Sequence, residues 1–549
     1  MCRLSKEHAG LPIRRDPGPG VAVKDTFYIT TPIYYINDEP HIGHAYTTVA
    51  ADVLARWRRA HGEQVFFLTG TDEHGQKVAR AAEARGLDPQ TWTDQIVERW
   101  KRAWADLDIS YDDFIRTTEE RHAVPVQHLW QQLYDQGDVY LDSYEGLYCV
   151  ACEQFYTQEE LVDGKCPIHG RPVELVREEN YFFRLSKYAD HLLALYRERP
   201  DFVRPEARLH EVRSFVEQGL QDLSISRSSF DWGVPVPWDP RHVIYVWIDA
   251  LQNYITAAGW DADLERFERI WPADYHFVGK DILRFHAVIW PAILIAAGLP
   301  VPRTVQAHGW LLVGGEKMSK TKLTGIAPQD LVGPFGSDAF RYFFQREVAF
   351  GQDGNFSWEA MVERYNADLA NGLGNLASRV TAMVERYRDG VLPGPGPAGE
   401  AEVAVQEAAE RAYADARAAL DGDLAYEKAL AGIWRLVGVA NGYLSERRPW
   451  DLAKQGDDLA LDTVLYTAAE SLRIIALLTS PWLTRTAPAI WTAVGAPGEL
   501  ADARLPEALT WGGLPRAARV KRVAALFPRL DAEGRPAGGA SPGPSAAVG

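Results

Sequence analysis

The chain has 549 residues, of which 46% are hydrophobic and 24% are charged. These values are ordinary for a globular protein and exclude a mostly disordered or fibrous chain, and the length predicts three to five folding units. The net charge of −17 argues against coating nucleic acid through overall charge, but it does not exclude a local basic face. We expect neither a secretory signal nor a membrane span, because the longest apolar run has 16 residues and contains prolines.

After a proline- and glycine-rich arm, strands and helices alternate along the first part of the chain. Residues 27–30 are predicted as a buried strand, a helix follows and ends at Gly62, and residues 65–68 are predicted as the next strand. Strand, helix and strand joined by short connections indicate a parallel sheet. Further helices are predicted at 75–85, 89–107 and 281–297, and further strands at 243–247, 275–278 and 304–307.

Two regions depart from this alternation. Residues 139–183 are turn-rich and have no helical period, which indicates an insertion within the sheet domain. After about residue 326 we expect no more strands, and residues 358–483 have the period of a helical bundle. The prediction is an α/β protein with a Rossmann-type parallel sheet, an inserted connective module and an all-α C-terminal domain. The predicted domains are a flexible arm (1–25), the first sheet half (26–138), the insertion (139–229), the second sheet half (230–325), a linking region (326–365), the helical domain (366–533) and a disordered tail (534–549).

The first motif with chemical meaning is His41-Ile42-Gly43-His44, which follows the first strand and begins a helix. The N-terminus of such a helix offers unpaired N–H groups and positive potential, which suit a phosphate. His41 and His44 can face that phosphate together, and Gly43 leaves room for an adenine ring. Four residues alone are weak evidence, and the alternative is that the two histidines are capping or surface residues.

The second motif is a basic loop, Lys317-Met318-Ser319-Lys320, between Gly314-Gly315 and Gly325. Lysines on such a loop can close over a triphosphate and stabilise the charge that develops on departing pyrophosphate. The alternative is an ordinary solvated loop.

Together the two motifs resemble the class I aminoacyl-tRNA synthetases. The histidines start one half of the predicted sheet domain and the lysines end the other, so both would lie at the carboxyl edge of the sheet, where such folds bind ligands. Segments between residues 26 and 530 resemble, more narrowly, the methionyl-tRNA synthetase family; they are residues 33–37, 70–75, 245–250, 277–281 and 285–286.

This resemblance implies two sets of binding residues. Methionine would bind to Ile33, Tyr35, Asp72, Trp247, Tyr254 and His286. Asp72 would hold the ammonium group. The other residues would select the thioether by shape and aromatic contact, because a thioether makes almost no hydrogen bonds. ATP would bind to His41, Gly43, His44, Gly279, Asp281, Lys317 and Lys320, with His41, His44, Lys317 and Lys320 acting in catalysis. Three alternatives stay open. Tyr35 and Trp247 could be core residues, Asp72 could cap a helix, and Asp249 and Asp281 could have structural roles.

A cysteine cluster predicts a metal. Cys149 and Cys152 form one Cys-x-x-Cys corner, and 13 residues later Cys166 and His169 form a second corner. Two such corners supply four ligands for one tetrahedral, structural Zn²⁺ with no open position for water. Unliganded thiols are the alternative.

In the helical region, Asn375 and Arg379 lie one turn apart, and Trp450 follows the basic pair Arg447-Arg448 and Pro449. Asn and Arg can read base edges and Trp can stack on an unpaired base. The resemblance implies that Asn375, Arg379 and Trp450 face the anticodon; the alternative is a capped helix with a buried tryptophan.

The resemblance implies a cytoplasmic, monomeric methionine–tRNA ligase that uses ATP with Mg²⁺ and charges tRNA(Met), including the initiator. Two alternatives stay open. One is another class I synthetase of the aliphatic or cysteine subgroup, although the insertion is too small for the large editing domain of the leucine, isoleucine and valine enzymes. The other is a non-catalytic RNA-binding paralogue, against which the intact ATP motifs argue.

Overall fold

The computed structural model describes residues 24–150, 154–156, 158–168, 170–313, 316–317 and 325–536. Most of the predicted arm and tail lie outside these residues. The strands are β1 Thr26–Thr30, β2 Tyr34–Tyr35, β3 Gln64–Asp72, β4 Asp113–Arg116, β5 Val139–Cys149, β6 Gln154–Tyr156, β7 Glu174–Phe183, β8 Val203–Arg204, β9 Leu223–Ser224, β10 Ser226–Arg227, β11 Pro235–Val236, β12 Asp239–Ile244, β13 Tyr275–Gly279, β14 Thr304–His308, β15 Leu311–Val313, β16 Glu316–Lys317 and β17 Gly354–Phe356.

The helices predicted at 75–85 and 89–107 are present, whereas that predicted at 281–297 consists of a 3₁₀ turn, a π-helical segment and a short α-helix. The α-helices are α1 Ile42–Ala60, α2 Gln76–Glu83, α3 Pro89–Asp106, α4 Glu120–Asp135, α5 Ala189–Glu198, α6 Glu206–Glu217, α7 Val246–Leu251, α8 Asn253–Thr256, α9 Leu264–Ile270, α10 Trp290–Ala296, α11 Pro328–Phe335, α12 Ser337–Glu347, α13 Trp358–Arg364, α14 Asn375–Arg388, α15 Glu400–Asp421, α16 Tyr426–Arg447, α17 Pro449–Gln455, α18 Asp458–Thr479 and α19 Thr486–Ala493. Two π-helical segments, Phe285–Ile289 and Tyr365–Gly374, lead directly into α10 and α14.

The predicted parallel sheet is present. Its strands run in the order β2-β3-β1-β13-β14-β8, with β4 paired to β3 on the side. β1 pairs in parallel with β13, β14 with β8, and β3 with both β2 and β4. Crossovers between non-consecutive strands give the Rossmann-type architecture that the βαβ pattern indicated.

The insertion is more ordered than its turn-rich composition suggested. β5 and β7 form a long antiparallel hairpin in a sheet ordered β6-β5-β7-β9. The hairpin was not predicted, because the strands' polar residues and the turns around the cysteines hide a clean alternation. Its inner residues Tyr181 and Phe183 share one apolar core with Tyr28 and Leu68 of the parallel sheet.

Two strand predictions were wrong. Residues 243–247 do not continue the parallel sheet: β12 pairs antiparallel with β10 and β11, and Trp247 already lies in α7. A short apolar run does not distinguish a strand from a buried helix, which explains the error. The expectation of no strands after residue 326 fails at β17, which pairs in parallel with β15.

The chain divides into two compact units. The first comprises Met1–Asp38, Phe66–Val97 and Tyr111–Ala307, and the second Glu39–Val65, Glu98–Ser110 and His308–Gly549. The first therefore contains the parallel sheet and the insertion. The second contains α1, the basic-loop region and the C-terminal helices, with α18 buried along most of its length. Within the described ranges, no helix is long and apolar enough to cross a bilayer.

Candidate active site

In the second unit, the two predicted phosphate-binding histidines cap α1. His41 Nδ1 accepts a hydrogen bond from Gly43 N at 3.1 Å, and His44 Nδ1 accepts one from His41 N at 3.1 Å. Their rings stack with centroids 3.6 Å apart, and His44 also packs on Trp100. A neutral imidazole that accepts at Nδ1 carries its proton on Nε2. Both rings therefore carry their proton on Nε2, at the N-terminus of a helix whose first turn has no acidic residue.

The segments on either side of the predicted lysine loop are tied to the same helix. His308 precedes the loop, and its Nε2 lies 2.8 Å from Thr47 Oγ1 of α1. Ile326 follows the loop, and its carbonyl oxygen accepts a hydrogen bond from Ile42 N of α1 at 2.9 Å. Between these points β15 pairs with β16, where Leu312 lies opposite Lys317. The Lys317 side chain and Lys320 lie outside the described part of the chain, but the structure brings both ends of their loop to the histidine helix.

In the first unit, Tyr35 and Asp72 are neighbours. Strands β2 and β3 pair in parallel with Tyr35 opposite Asp72, and Asp72 is only 5% exposed. Gly70 allows β3 and β4 to approach closely, because a Cβ at that position would lie 2.1 Å from Ile115 O of β4. Ile33 precedes β2 and packs on the core. The structure thus places Tyr35 beside Asp72, with Ile33 two residues before Tyr35.

A second group in the same unit surrounds the π-helical segment Phe285–Ile289. Trp247 stacks on Phe285 with centroids 4.3 Å apart, and Tyr254 Oη lies 2.7 Å from His286 Nε2. His286 Nδ1 lies 3.0 Å from Ile282 O, a carbonyl, so Nδ1 carries the proton and Nε2 accepts from the Tyr254 hydroxyl. We call Trp247, Tyr254 and His286 the aromatic wall.

The aromatic wall is neutral. Burial lowers the pKa of His286 to about 4, so the ring is uncharged at neutral pH. Burial also raises the pKa of Tyr254, which keeps the phenol protonated. Such a wall suits an apolar side chain without charge.

A buried carboxylate connects the two groups. Asp249 Oδ2 lies 2.6 Å from His74 Nδ1, and Asp249 Oδ1 lies 2.9 Å from His122 Nε2. Asp249 is fully buried, which alone would raise its pKa, but the charges and hydrogen bonds of His74 and His122 lower it to about 2. Of the two roles left open for Asp249, this environment favours the structural one.

Sequence reasoning missed the histidines of this connection. His74 belongs to the segment 70–75 that carried the resemblance, so a signal existed for it. His122 is an isolated histidine in α4, 127 residues before its partner, and nothing in its neighbourhood pointed to Asp249. The segment 70–75 also contains Glu73, to which no role was assigned; it is buried and accepts two hydrogen bonds from Arg116.

The other predicted nucleotide residues lie at the end of β13. Gly279 ends that strand, and Asp281 is exposed in the 3₁₀ turn Lys280–Ile282. Ile282 of this turn accepts the hydrogen bond from His286. The turn therefore joins the predicted nucleotide residues to the aromatic wall.

The cysteines are partly described. Cys149 and Cys166 are each 1% exposed and share a small cluster with Tyr156, whose Oη lies 3.6 Å from Cys166 Sγ. The other two predicted ligands, Cys152 and His169, lie outside the described residues. Among the residues that are described, no group of three potential ligands could hold a metal ion. The zinc site stays a prediction.

The predicted anticodon residues lie on the helical region of the second unit. Asn375 is exposed at the start of α14 and donates to Asn441 of α16 across 3.4 Å, and Arg379 follows one turn later, half-buried. Trp450, on α17, is half-buried, so it is not the buried core tryptophan of the alternative interpretation. Arg448, just before that helix, adopts a left-handed conformation with φ of 49° and pairs with Asp451.

Comparison with known proteins narrows the class that this fold defines. Residues 27–172 and 159–381 match the family model described as tRNA synthetases class I (M). The methionine–tRNA ligase of Streptomyces coelicolor is 54% identical over 92% of this chain and 97% of its own length. That of Caldanaerobacter subterraneus is 52% identical over 93% of this chain and 80% of its own length.

Solved structures agree. Methionyl-tRNA synthetase of Mycobacterium tuberculosis in complex with methionyl-adenylate superposes with a TM-score of 0.88 at 46% identity, over 92% of this chain and all of that one. The apo form of the same enzyme gives a TM-score of 0.81. The chain thus belongs to the class I aminoacyl-tRNA synthetases and, among them, to the methionine–tRNA ligase family.

Proposed function

We propose that this protein is a methionine–tRNA ligase, which forms methionyl-adenylate from L-methionine and ATP and then charges tRNA(Met), including the initiator. The observation that carries the proposal is the aromatic wall. Burial keeps its histidine and tyrosine uncharged, the Tyr254 hydroxyl donates to His286, and His286 donates to Ile282 O. A thioether side chain needs such a surface, because it is polarizable and makes almost no hydrogen bonds.

Methionine recognition would divide between the two groups of the first unit. Asp72 would hold the ammonium, since it is a carboxylate at the end of β3 beside Tyr35. Trp247, Tyr254 and His286 would contact the side chain, together with Ile33. A neighbouring acid and a neutral wall together favour a zwitterionic amino acid with an uncharged, apolar side chain.

Adenylate formation would need positioning and electrostatic stabilisation but no covalent enzyme intermediate. The methionine carboxylate attacks the α-phosphorus, and pyrophosphate leaves. His41 and His44 would donate Nε2–H bonds to the phosphates beside Gly43, while Gly279 and Asp281 would bind the nucleoside. Lys317 and Lys320 would neutralise the β- and γ-phosphates, and Mg²⁺ that accompanies ATP would add positive charge there.

The helical region would bind the anticodon. Asn375 is exposed and Trp450 is half-buried, so both are accessible for base contacts, and Arg379 adds a cation one turn from Asn375. Base stacking on an aromatic side chain contributes about 1–3 kcal/mol. From the resemblance we further propose that the protein acts as a monomer in the cytoplasm.

A methionine-dependent ATP–pyrophosphate exchange assay tests the activity. His41→Ala should reduce kcat by ~100-fold or more, on the scale of a lost transition-state donor. The matched control is His61→Ala, at the other end of α1, where the ring bonds to Trp57 O and lies near Tyr413; it should exchange at nearly the wild-type rate. Absence of exchange in the wild-type chain, or exchange supported better by leucine or cysteine, would refute the proposal.

The insertion would hold one structural zinc ion through Cys149, Cys152, Cys166 and His169. The described residues fit such a site, because two thiols are buried in a cluster that has few apolar partners, namely Tyr156, Leu161 and Val173. So small a core rarely suffices without a metal or cross-link.

Metal analysis of the full chain tests this assignment. About one equivalent of zinc is expected, and Cys149→Ser should lose it. Cys2→Ser, which removes the cysteine outside the pattern, is the matched control and should keep the zinc. Much less than stoichiometric zinc in the wild type would contradict the site.

A further inference from the structure

A chain of buried polar side chains runs through the first unit: His74, Asp249, His122 and Thr256. Beyond the two bonds to Asp249, His122 Nδ1 lies 3.0 Å from Thr256 Oγ1. His122 and Asp249 are fully buried, and His74 and Thr256 are each 6% exposed. We call these four residues the Asp249 chain.

Each of three members lies two residues after a proposed methionine-binding residue. His74 follows Asp72 at the end of β3, Asp249 follows Trp247 in α7, and Thr256 follows Tyr254 in α8. The fourth member, His122, comes from α4 and bridges Asp249 and Thr256. The Asp249 chain therefore connects three segments of the polypeptide. One carries Asp72, the proposed partner of the ammonium group, and the other two carry Trp247 and Tyr254 of the aromatic wall.

General stability does not account for a charged residue at this place. Asp249 lies among apolar residues such as Ile248 and Leu251, both almost fully buried. Desolvating a carboxylate is costly, and well-packed apolar side chains are often at least as stabilising as buried charged groups. What an ionised carboxylate adds is direction, because it only accepts hydrogen bonds and so requires an N–H from each histidine.

We infer that Asp249 is a positioning residue for methionine binding, which holds the Asp72 segment, α7 and α8 in the arrangement that receives the amino acid. The inference rests on the proposed function. It assigns Asp249 no contact with substrate. Because Asp249 fixes His74, it also fixes the backbone at Asp72, two residues before His74. Trp247 lies two residues before Asp249 and is fixed in the same way.

The test is exchange kinetics with Asp249→Asn in the full chain. The asparagine keeps the shape but offers one acceptor and one donor, so the two histidines can no longer both donate to residue 249. We expect the KM for methionine to rise ~10-fold, as for the loss of one buried charge-assisted hydrogen bond, with the KM for ATP within ~2-fold. Asp239→Asn is the matched control: Asp239 is a largely buried acid of the same unit, bonded to Arg241 and Tyr181, and should leave the methionine KM unchanged.

A second pair of variants decides the matter if Asp249→Asn does not fold. His74→Ala should raise the methionine KM, whereas His74→Asn, whose amide can place an N–H near the position of Nδ1, should recover most of the loss. A merely structural role would lower the melting temperature without this recovery.

The inference is overturned if Asp249→Asn leaves the methionine KM within ~2-fold, if the KM values for methionine and ATP rise together, or if His74→Asn is no better than His74→Ala. Failure of the proposed function is distinguishable, because it shows as absent methionine-dependent exchange in the wild-type protein before any variant is made.

Discussion

Two fully buried aspartates, Asp249 in the first unit and Asp52 in the second, keep their charge by different means. Asp249 has two histidines as partners. Asp52 accepts from Arg56, Arg341 and Ser110; burial would raise its pKa, but the two guanidinium groups and the serine hold it below its ordinary value. Both aspartates are buried and charged, and they differ in the other hydrogen bonds that their partners make.

Besides Asp52, the Arg341 guanidinium donates hydrogen bonds to main-chain carbonyl groups. It donates to Leu107 O after α3, and to Pro481 O and Trp482 O after α18, while its own helix is α12. One guanidinium thus joins α1 to three other segments of the second unit. In the first unit, the described ring hydrogen bonds of His74 and His122 go instead to the side chains of Asp249 and Thr256, next to the proposed binding residues. The comparison indicates that the Asp52 cluster maintains architecture and the Asp249 chain maintains a binding geometry.

The largest effect is expected from breaking the Asp52 cluster. Arg341→Met should reduce the free energy of unfolding by about 3–5 kcal/mol, because it removes one of the two guanidinium partners of the buried Asp52 and the donor of three main-chain carbonyls. Urea denaturation measures the loss, and exchange and tRNA charging should decline together. Arg435→Met, which removes an exposed ion pair with Asp415, should cost less than about 1 kcal/mol. Similar losses in the two variants would contradict the architectural role.

A surface residue of the second unit should separate function from architecture. Trp450→Ala is expected to lose about 1–3 kcal/mol of base stacking, which lowers kcat/KM for tRNA charging by about 5- to 150-fold. Exchange, which needs no tRNA, and the melting temperature should change little.

Trp434→Ala is the matched control for Trp450. Trp434 packs on Tyr342 and donates to Asp368 O, so its loss should lower the melting temperature and both activities. If Trp450→Ala behaves in the same way, it has no distinct role in tRNA binding.

The charge of Asp249 predicts a pH dependence of stability. Its pKa in the folded protein, about 2, lies below its ordinary value of 3.8, so the carboxylate stabilises the fold above about pH 4. That contribution, at most roughly 2.5 kcal/mol, is lost as the pH falls toward 2. The difference in unfolding free energy between wild type and Asp249→Asn should therefore shrink from pH 5 to pH 3 in urea titrations. A difference that stays constant over this range would show that the charge is not what matters.

The smallest effect concerns the aromatic wall. Tyr254→Phe removes the hydroxyl that donates to His286 Nε2 and should cost about 1 kcal/mol, which we expect as a ~5-fold rise in the methionine KM. Tyr181→Phe, which removes a hydroxyl bonded to Asp239 in the same unit, should leave that KM unchanged. Equal changes in both variants would argue against a specific contribution of the wall.

Some of this organisation could be predicted and some could not. Local periodicity located α1 and β13, and residue spacing identified the histidine, lysine and cysteine motifs, because these signals lie within a few residues. The apolar run around Trp247 was misassigned, since burial makes strand and helix look alike. The partners of Asp249 are 127 and 175 residues distant in sequence, and only tertiary folding brings them together.

The aromatic wall has a consequence for oxidised amino acids. Oxidation of methionine converts its thioether into a polar sulfoxide, whose oxygen needs a hydrogen-bond donor. In the wall, the Tyr254 proton is engaged by His286, and the His286 proton by Ile282 O. Seating a sulfoxide against these groups would require one of these bonds to break, at a cost of about 1–3 kcal/mol for the group left unsatisfied. The proposed pocket would therefore discriminate against damaged methionine when the amino acid binds, before it reaches a tRNA or a growing polypeptide.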